Sequence, residues 1–81
     1  MFEKTIFLKD FNAVKSFVEF ANKKDYDIEL TSGRYVVNAK SIMGVFSLDL
    51  TKPLVMVAHT DSHSELQRQT KPFEYVRIKR K

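Results

Sequence analysis

Val37-Asn38-Ala39-Lys40-Ser41-Ile42-Met43-Gly44-Val45-Phe46-Ser47-Leu48 changes character in its middle. The run that leads into it, Arg34 to Ala39, is rich in β-branched and aromatic residues and reads as a strand. Lys40-Ser41 then opens a short helix through about Ser47, with Ser41 as the N-cap. Ile42, Met43, Val45, Phe46 and Leu48 are too dense for one buried stripe, and Gly44 weakens the helix. One or two turns with part of the apolar surface facing water are expected. Val45 and Leu48 can pack inward under a sheet, but all five apolar residues together cannot.

Upstream, Tyr26-Asp27-Ile28-Glu29-Leu30-Thr31 alternates apolar and polar residues as a half-buried strand does. Ser32-Gly33 supplies a turn, so this strand and Arg34–Ala39 form a hairpin. Before it, Val14, Phe17, Val18 and Ala21 recur at helical spacing from Ala13 to about Lys24, with Phe11 and Phe20 beside the stripe. Asp10 and Asn12 are both candidate N-caps for that helix. Glu3 to Leu8 reads as a first strand.

Downstream, Thr51-Lys52-Pro53 is a turn, and Leu54 to Ala58 is a continuous apolar strand expected at the centre of a sheet. Asp61 or Ser62 caps a third helix running to about Thr70, which Pro72 stops. The order is β-α-β-β-α-β-α, followed by a segment from Phe73 to Ile78 of high β-propensity. The expected fold is α+β: an open-faced β-sandwich with a four-stranded antiparallel sheet and helices on one face. Residues 1–72 would form the domain and residues 73–81 a basic tail, leaving the domain or adding briefly to a sheet edge.

The chain has 81 residues and no cysteine, which removes disulfides, thiolate metal sites and cysteine nucleophiles. Its longest apolar run falls far short of the ~20 residues that span a membrane. Met1-Phe2-Glu3-Lys4-Thr5 has no basic stretch leading into an apolar one, so a cytoplasmic location is the expectation. The net charge of +4 is unevenly spread. Six basic residues against Glu74 give +5 over residues 68–81, leaving −1 for residues 1–67. The basic pI thus belongs to the tail.

The run from Val37 to Leu48 closely resembles the regulatory-serine segment of the HPr family, phosphocarrier proteins of the bacterial sugar phosphotransferase system. Phe17-Val18 in the first helix, Asp27-Ile28 at the start of a strand and the βαββαβα order match in the same register, over roughly residues 3–70. The resemblance implies a phosphocarrier histidine in a Gly-Leu-His-x-Arg-Pro-Ala motif at the start of the first helix. Counted back from Phe17-Val18, that histidine falls at Asp10, the arginine at Asn12 and the proline at Ala13. The nucleophile, its anion-binding partner and the helix-starting proline are therefore absent. The chain's histidines are His59 and His63, so no small shift of register restores the motif.

Asp10 is accordingly read as an N-cap, worth ~1 kcal/mol. An acyl phosphate there would set a carboxylate against an anionic donor with no guanidinium to offset it. His59, Asp61 and His63 lack regular metal-ligand spacing and read as solvated loop residues, and no cofactor is expected. The resemblance also implies that Ser41 is a regulatory phosphorylation site, since a phosphate at a helix N-terminus is electrostatically favoured. Capping alone explains a serine there equally well. Ile42, Met43 and Phe46, with Phe11, resemble the exposed hydrophobic patch with which HPr docks on partners.

Two functional classes remain. One is an HPr-like regulatory or protein-binding module without phosphocarrier activity, its partners of phosphotransferase or catabolite-regulator type. The other is a polyanion or nucleic-acid binder acting through Arg77, Lys79, Arg80 and Lys81, with Phe73 and Tyr75 for stacking. An enzyme ranks behind both, because no carboxylate pair, triad or phosphate loop is present.

Overall fold

The computed structural model describes residues 1–75. Four strands, β1 (Phe2–Ile6), β2 (Ile28–Ser32), β3 (Tyr35–Asn38) and β4 (Leu54–Ala58), form one antiparallel sheet in the order β1-β4-β2-β3. Helices α1 (Phe11–Asn22), α2 (Ile42–Phe46) and α3 (His63–Gln69) complete it, and a single 3-10 turn at Lys71–Phe73 follows α3. The α+β open-faced arrangement expected from the sequence is the one present.

Helix α1 buries the residues its periodicity singled out, Val14, Phe17, Val18 and Ala21. They join Ile6, Ile28, Leu30, Leu54 and Met56 in one core, each large side chain contributing about 1.5–3 kcal/mol of burial. Of the two candidate caps, Asp10 is the one used: its carboxylate accepts the Ala13 N–H at 2.8 Å. Gly33 turns the β2–β3 hairpin with φ 61° at the first central position, where a two-residue type II′ loop demands glycine.

Strand β4 is central, as its apolar run implied. The helices cover one face alone, so Leu54, Met56 and Ala58 are buried while Val55 lies exposed on the open face. Register sets Lys4, Met56, Leu30 and Val37 in one row across the sheet. The inner position of Lys4 is unexpected for a cation. Its stem packs over the core, and Nζ reaches Thr70 Oγ1 at 3.1 Å and the Glu74 carboxylate at 3.6 Å, which is how a buried ammonium stays paired.

The boundary expected after residue 72 runs through packed structure. Phe73 is buried in the core. The Phe7 N–H donates to its carbonyl at 2.9 Å, Glu74 bridges Ile6 antiparallel, and the Tyr75 N–H donates to Thr5 O at 3.3 Å. Residues 73–75 thus add briefly to the β1 edge. The rest of the expected tail, with Arg77, Lys79, Arg80 and Lys81, lies outside the described residues. In α3, Ser62 takes the cap position without a side-chain hydrogen bond.

Candidate functional site

The start of α1, the whole of α2 and the loop before β4 meet at one end of the molecule. Asp10 has extended backbone (φ −155°, ψ 179°) and is exposed; its carbonyl also accepts the Val14 N–H at 3.1 Å. Its carboxylate therefore occupies the amide that would face an anion docking at this helix end. Asn12, where the sequence register sets the motif's arginine as an expectation, is exposed and offers no guanidinium.

Beside Asp10 the Phe11 ring, 60% exposed, stacks on Phe46, 38% exposed, with centroids 5.5 Å apart and planes at 13°. The pair joins the first turn of α1 to the last residue of α2. Phe7, Leu8, Asp10, Phe11, Phe46 and Leu50 line an open groove of about 500 Å³ here. Met43, one turn before Phe46 and so on the same helix face, is 76% exposed. Ile42 is half-buried against the core, and Val45 and Leu48 point inward. The sequence-predicted residues Phe11, Phe46 and Met43 form an exposed apolar surface, whereas Ile42 presents only part of its side chain.

Ser41 caps α2 with extended backbone, and its Oγ accepts the Gly44 N–H at 3.1 Å. The hydroxyl is exposed. A Cβ on Gly44 would stand 3.3 Å from that oxygen, a tight approach, and 3.5 Å from Val37 Cβ, an ordinary contact, so the glycine leaves room for the Ser41 cap.

His59 and His63 do not converge. His59 Nε2 lies 3.4 Å from Glu29 Oε1, while the His63 ring stands edge-on to Phe2 with centroids 5.8 Å apart. Among the described residues, no three potential ligands cluster around a point. Burial pushes the Tyr26 hydroxyl up, and hydrogen bonds from Thr51 hold the Asp49 carboxyl below its usual range. Phe7 and Leu50 escaped the sequence reading as site residues, because neither belongs to the α1 or α2 stripe and only the folded loop brings them beside Phe11.

A family model described as the PTS HPr component phosphorylation site matches residues 11–66. The chain belongs to the HPr family. No curated protein matches it significantly. Among solved structures it is similar to HPr-C-His from Thermoanaerobacter tengcongensis, at 31% identity over 84% of each chain with a TM-score of 0.70. HPr proteins are phosphocarriers of the phosphotransferase system rather than catalytic enzymes, and they interact with other proteins of that system. The matched segment starts one residue after Asp10. No helix among the described residues is long and apolar enough to cross a membrane.

Proposed function

We propose that this HPr-family chain carries no phosphate of its own and acts as a regulatory docking module. Phosphotransfer on HPr needs a nucleophilic imidazole, and a nearby guanidinium to hold the phosphate. Asp10 and Asn12 stand at those positions, and the Asp10 carboxylate is engaged in capping α1. The stacked, exposed Phe11–Phe46 pair carries the reading. With Met43 it offers flat aromatic and flexible thioether surface in a small area, suited to an adaptable protein contact. The partners are proteins of phosphotransferase or catabolite-regulator type, met in the cytoplasm.

Ser41 is the proposed switch. Its exposed hydroxyl is positioned for a kinase, and a phosphate would add about −1.5 to −2 charge at the edge of the apolar patch. The same charge would face the first amides of α2.

Incubation with phosphoenolpyruvate and enzyme I tests both halves together. The protein is expected to gain no acid-labile phosphate, while amide resonances of Phe11 and of Ile42 to Phe46 shift on adding enzyme I. Stoichiometric phosphorylation would overturn the loss of carrier activity. Absence of shifts with every phosphotransferase protein and catabolite regulator of the host would overturn the docking role.

A further inference from the structure

The two edges of the sheet are treated differently. The β1 edge is covered at one end, where Phe73 to Tyr75 pair with Thr5 to Phe7. At the other edge, no strand lies beyond β3 among the described residues. Sheet edges exposed in this way are usually blunted by lysine, proline, a bulge or a covering loop. Tyr35-Val36-Val37-Asn38 carries no charge and no proline, and pairs with β2 in unbroken register. Its apolar side chains are open as well, Tyr35 72% and Val36 57% exposed.

The free hydrogen-bonding groups can be assigned. The Ala39 N–H donates to Ile28 O at 2.8 Å. By the alternation of an antiparallel pair, Tyr35 and Val37 also turn their amide groups to β2, so Val36 and Asn38 turn theirs outward. The Asn38 carbonyl accepts the Ser41 N–H at 3.0 Å. The N–H and C=O of Val36 are left with no backbone partner among the described residues.

We propose that β3 is a self-association edge: two copies of this chain pair antiparallel through β3 about a two-fold axis at Val36, merging their sheets. The occupant is a second copy because the edge is complementary to itself. Val36 would exchange both backbone hydrogen bonds with Val36 of the second copy. Side chains keep their faces in this register. Val36 meets Val36 on the open face, extending the row that runs from Val55 through Thr31. On the helix side, Tyr35 lies across from Val37 of the second copy, an aromatic and β-branched pair that stabilises sheets. Arg34 falls opposite Asn38, so no like charges meet. Such a short strand buries a small area, and the dissociation constant is expected near ~0.1–1 mM.

Four variants test this on the full chain. Sedimentation of the wild type up to about 1 mM should show the mean mass rising toward twice the monomer. Val36→Pro removes an outward N–H that the monomer does not use and should abolish the rise; an edge strand tolerates such a proline. Val36→Lys, which sets two ammonium groups together at the axis, should do the same and covers the case that the proline variant does not fold. With no native cysteine to compete, Val36→Cys should cross-link to itself under mild oxidation, since residues facing each other in a hydrogen-bonded pair lie about 5.5 Å apart at Cα. Val55→Cys, also exposed but away from the axis, should cross-link at least ~10-fold more slowly. A wild type that stays monomeric, association that survives both Val36→Pro and Val36→Lys, or equal cross-linking of the two cysteine variants would overturn the proposal. So would an extended peptide of unrelated sequence shifting the β3 amides in a protein that never self-associates.

Discussion

The Phe73 ring stands edge-on to the Phe17 ring, with centroids 5.3 Å apart and planes at 85°. One ring comes from the middle of α1 and the other from just past the proline that ends α3. Phe20 packs against both, and the Lys4–Glu74 ion pair closes the same seam from the sheet side. Phe73 is therefore part of the core.

Phe73→Ala should lower unfolding stability by about 3 kcal/mol or more, the usual loss for a buried phenylalanine. In a domain this small that corresponds to a fall in Tm of ~12 °C or more. Thermal unfolding followed by circular dichroism reads it directly. A fall under ~4 °C would mean that Phe73 is not a core residue in solution.

Asp10→Ala should lose about 1 kcal/mol by removing the α1 cap, whereas Asp10→Asn should retain most of it, because an amide oxygen also accepts the Ala13 N–H. Urea titrations of both variants make the comparison. Asp10→His alone should not restore phosphotransfer, since Asn12 still lacks the bidentate fork that holds phosphate. Radiolabelled phosphoenolpyruvate with enzyme I would report any transfer.

Met43→Asp should abolish partner capture with a change in stability within about 0.5 kcal/mol, because an exposed position opens no cavity. Phe46→Ala should weaken capture too, and should also leave the Phe11 ring without its stacking partner. Surface-immobilised enzyme I or regulator gives the affinity, and a thermal melt gives the stability. A Tm drop of ~10 °C in Met43→Asp would place that side chain in the core.

The Asp49 carboxylate accepts the Thr51 hydroxyl at 2.6 Å and the Thr51 N–H at 3.1 Å. The hydroxyl bond is the larger cause of its lowered pKa, with the amide next. A depressed folded-state pKa adds stability that is present above the unfolded value, near ~4. That stability is lost as pH falls through the folded value. Asp49→Asn should therefore flatten the acid limb of the stability curve below about pH 4 and leave its shape at neutral pH unchanged. Chemical denaturation at a series of pH values checks this. An unaltered acid limb would show that the Thr51 hydrogen bonds do not persist in solution.

Deleting residues 77–81 should leave docking to protein partners intact. If the chain instead binds single-stranded nucleic acid through this basic run, the deletion should flatten the log–log salt dependence by ~0.7 for each phosphate that the run would neutralise. Filter binding across a salt series separates the two outcomes.

The element order and the family were legible because they rest on local patterns. Asp10, Ser41 and Gly33 act within a few residues of themselves as two caps and a turn, and the α1 stripe needs only a helical period. The run from Leu54 to Ala58 announced a central strand, but not that Val55 faces water, since an apolar run reads alike whether one or both faces are covered.

By itself the sequence determined the secondary structure and the α+β fold, and its resemblance to the HPr family set Asp10 and Asn12 where a phosphocarrier histidine and arginine are expected. The first two follow from residue identity and short-range periodicity. Only the tertiary structure decided that Phe11 stacks on Phe46, that Phe73 enters the core, that Lys4 is paired beneath α3, and that β3 is the open edge. Each joins residues from distant parts of the chain, and no local propensity encodes which segments meet. Packing the helices on one face of the sheet settles that, by burying the most apolar surface that leaves every inward polar group paired.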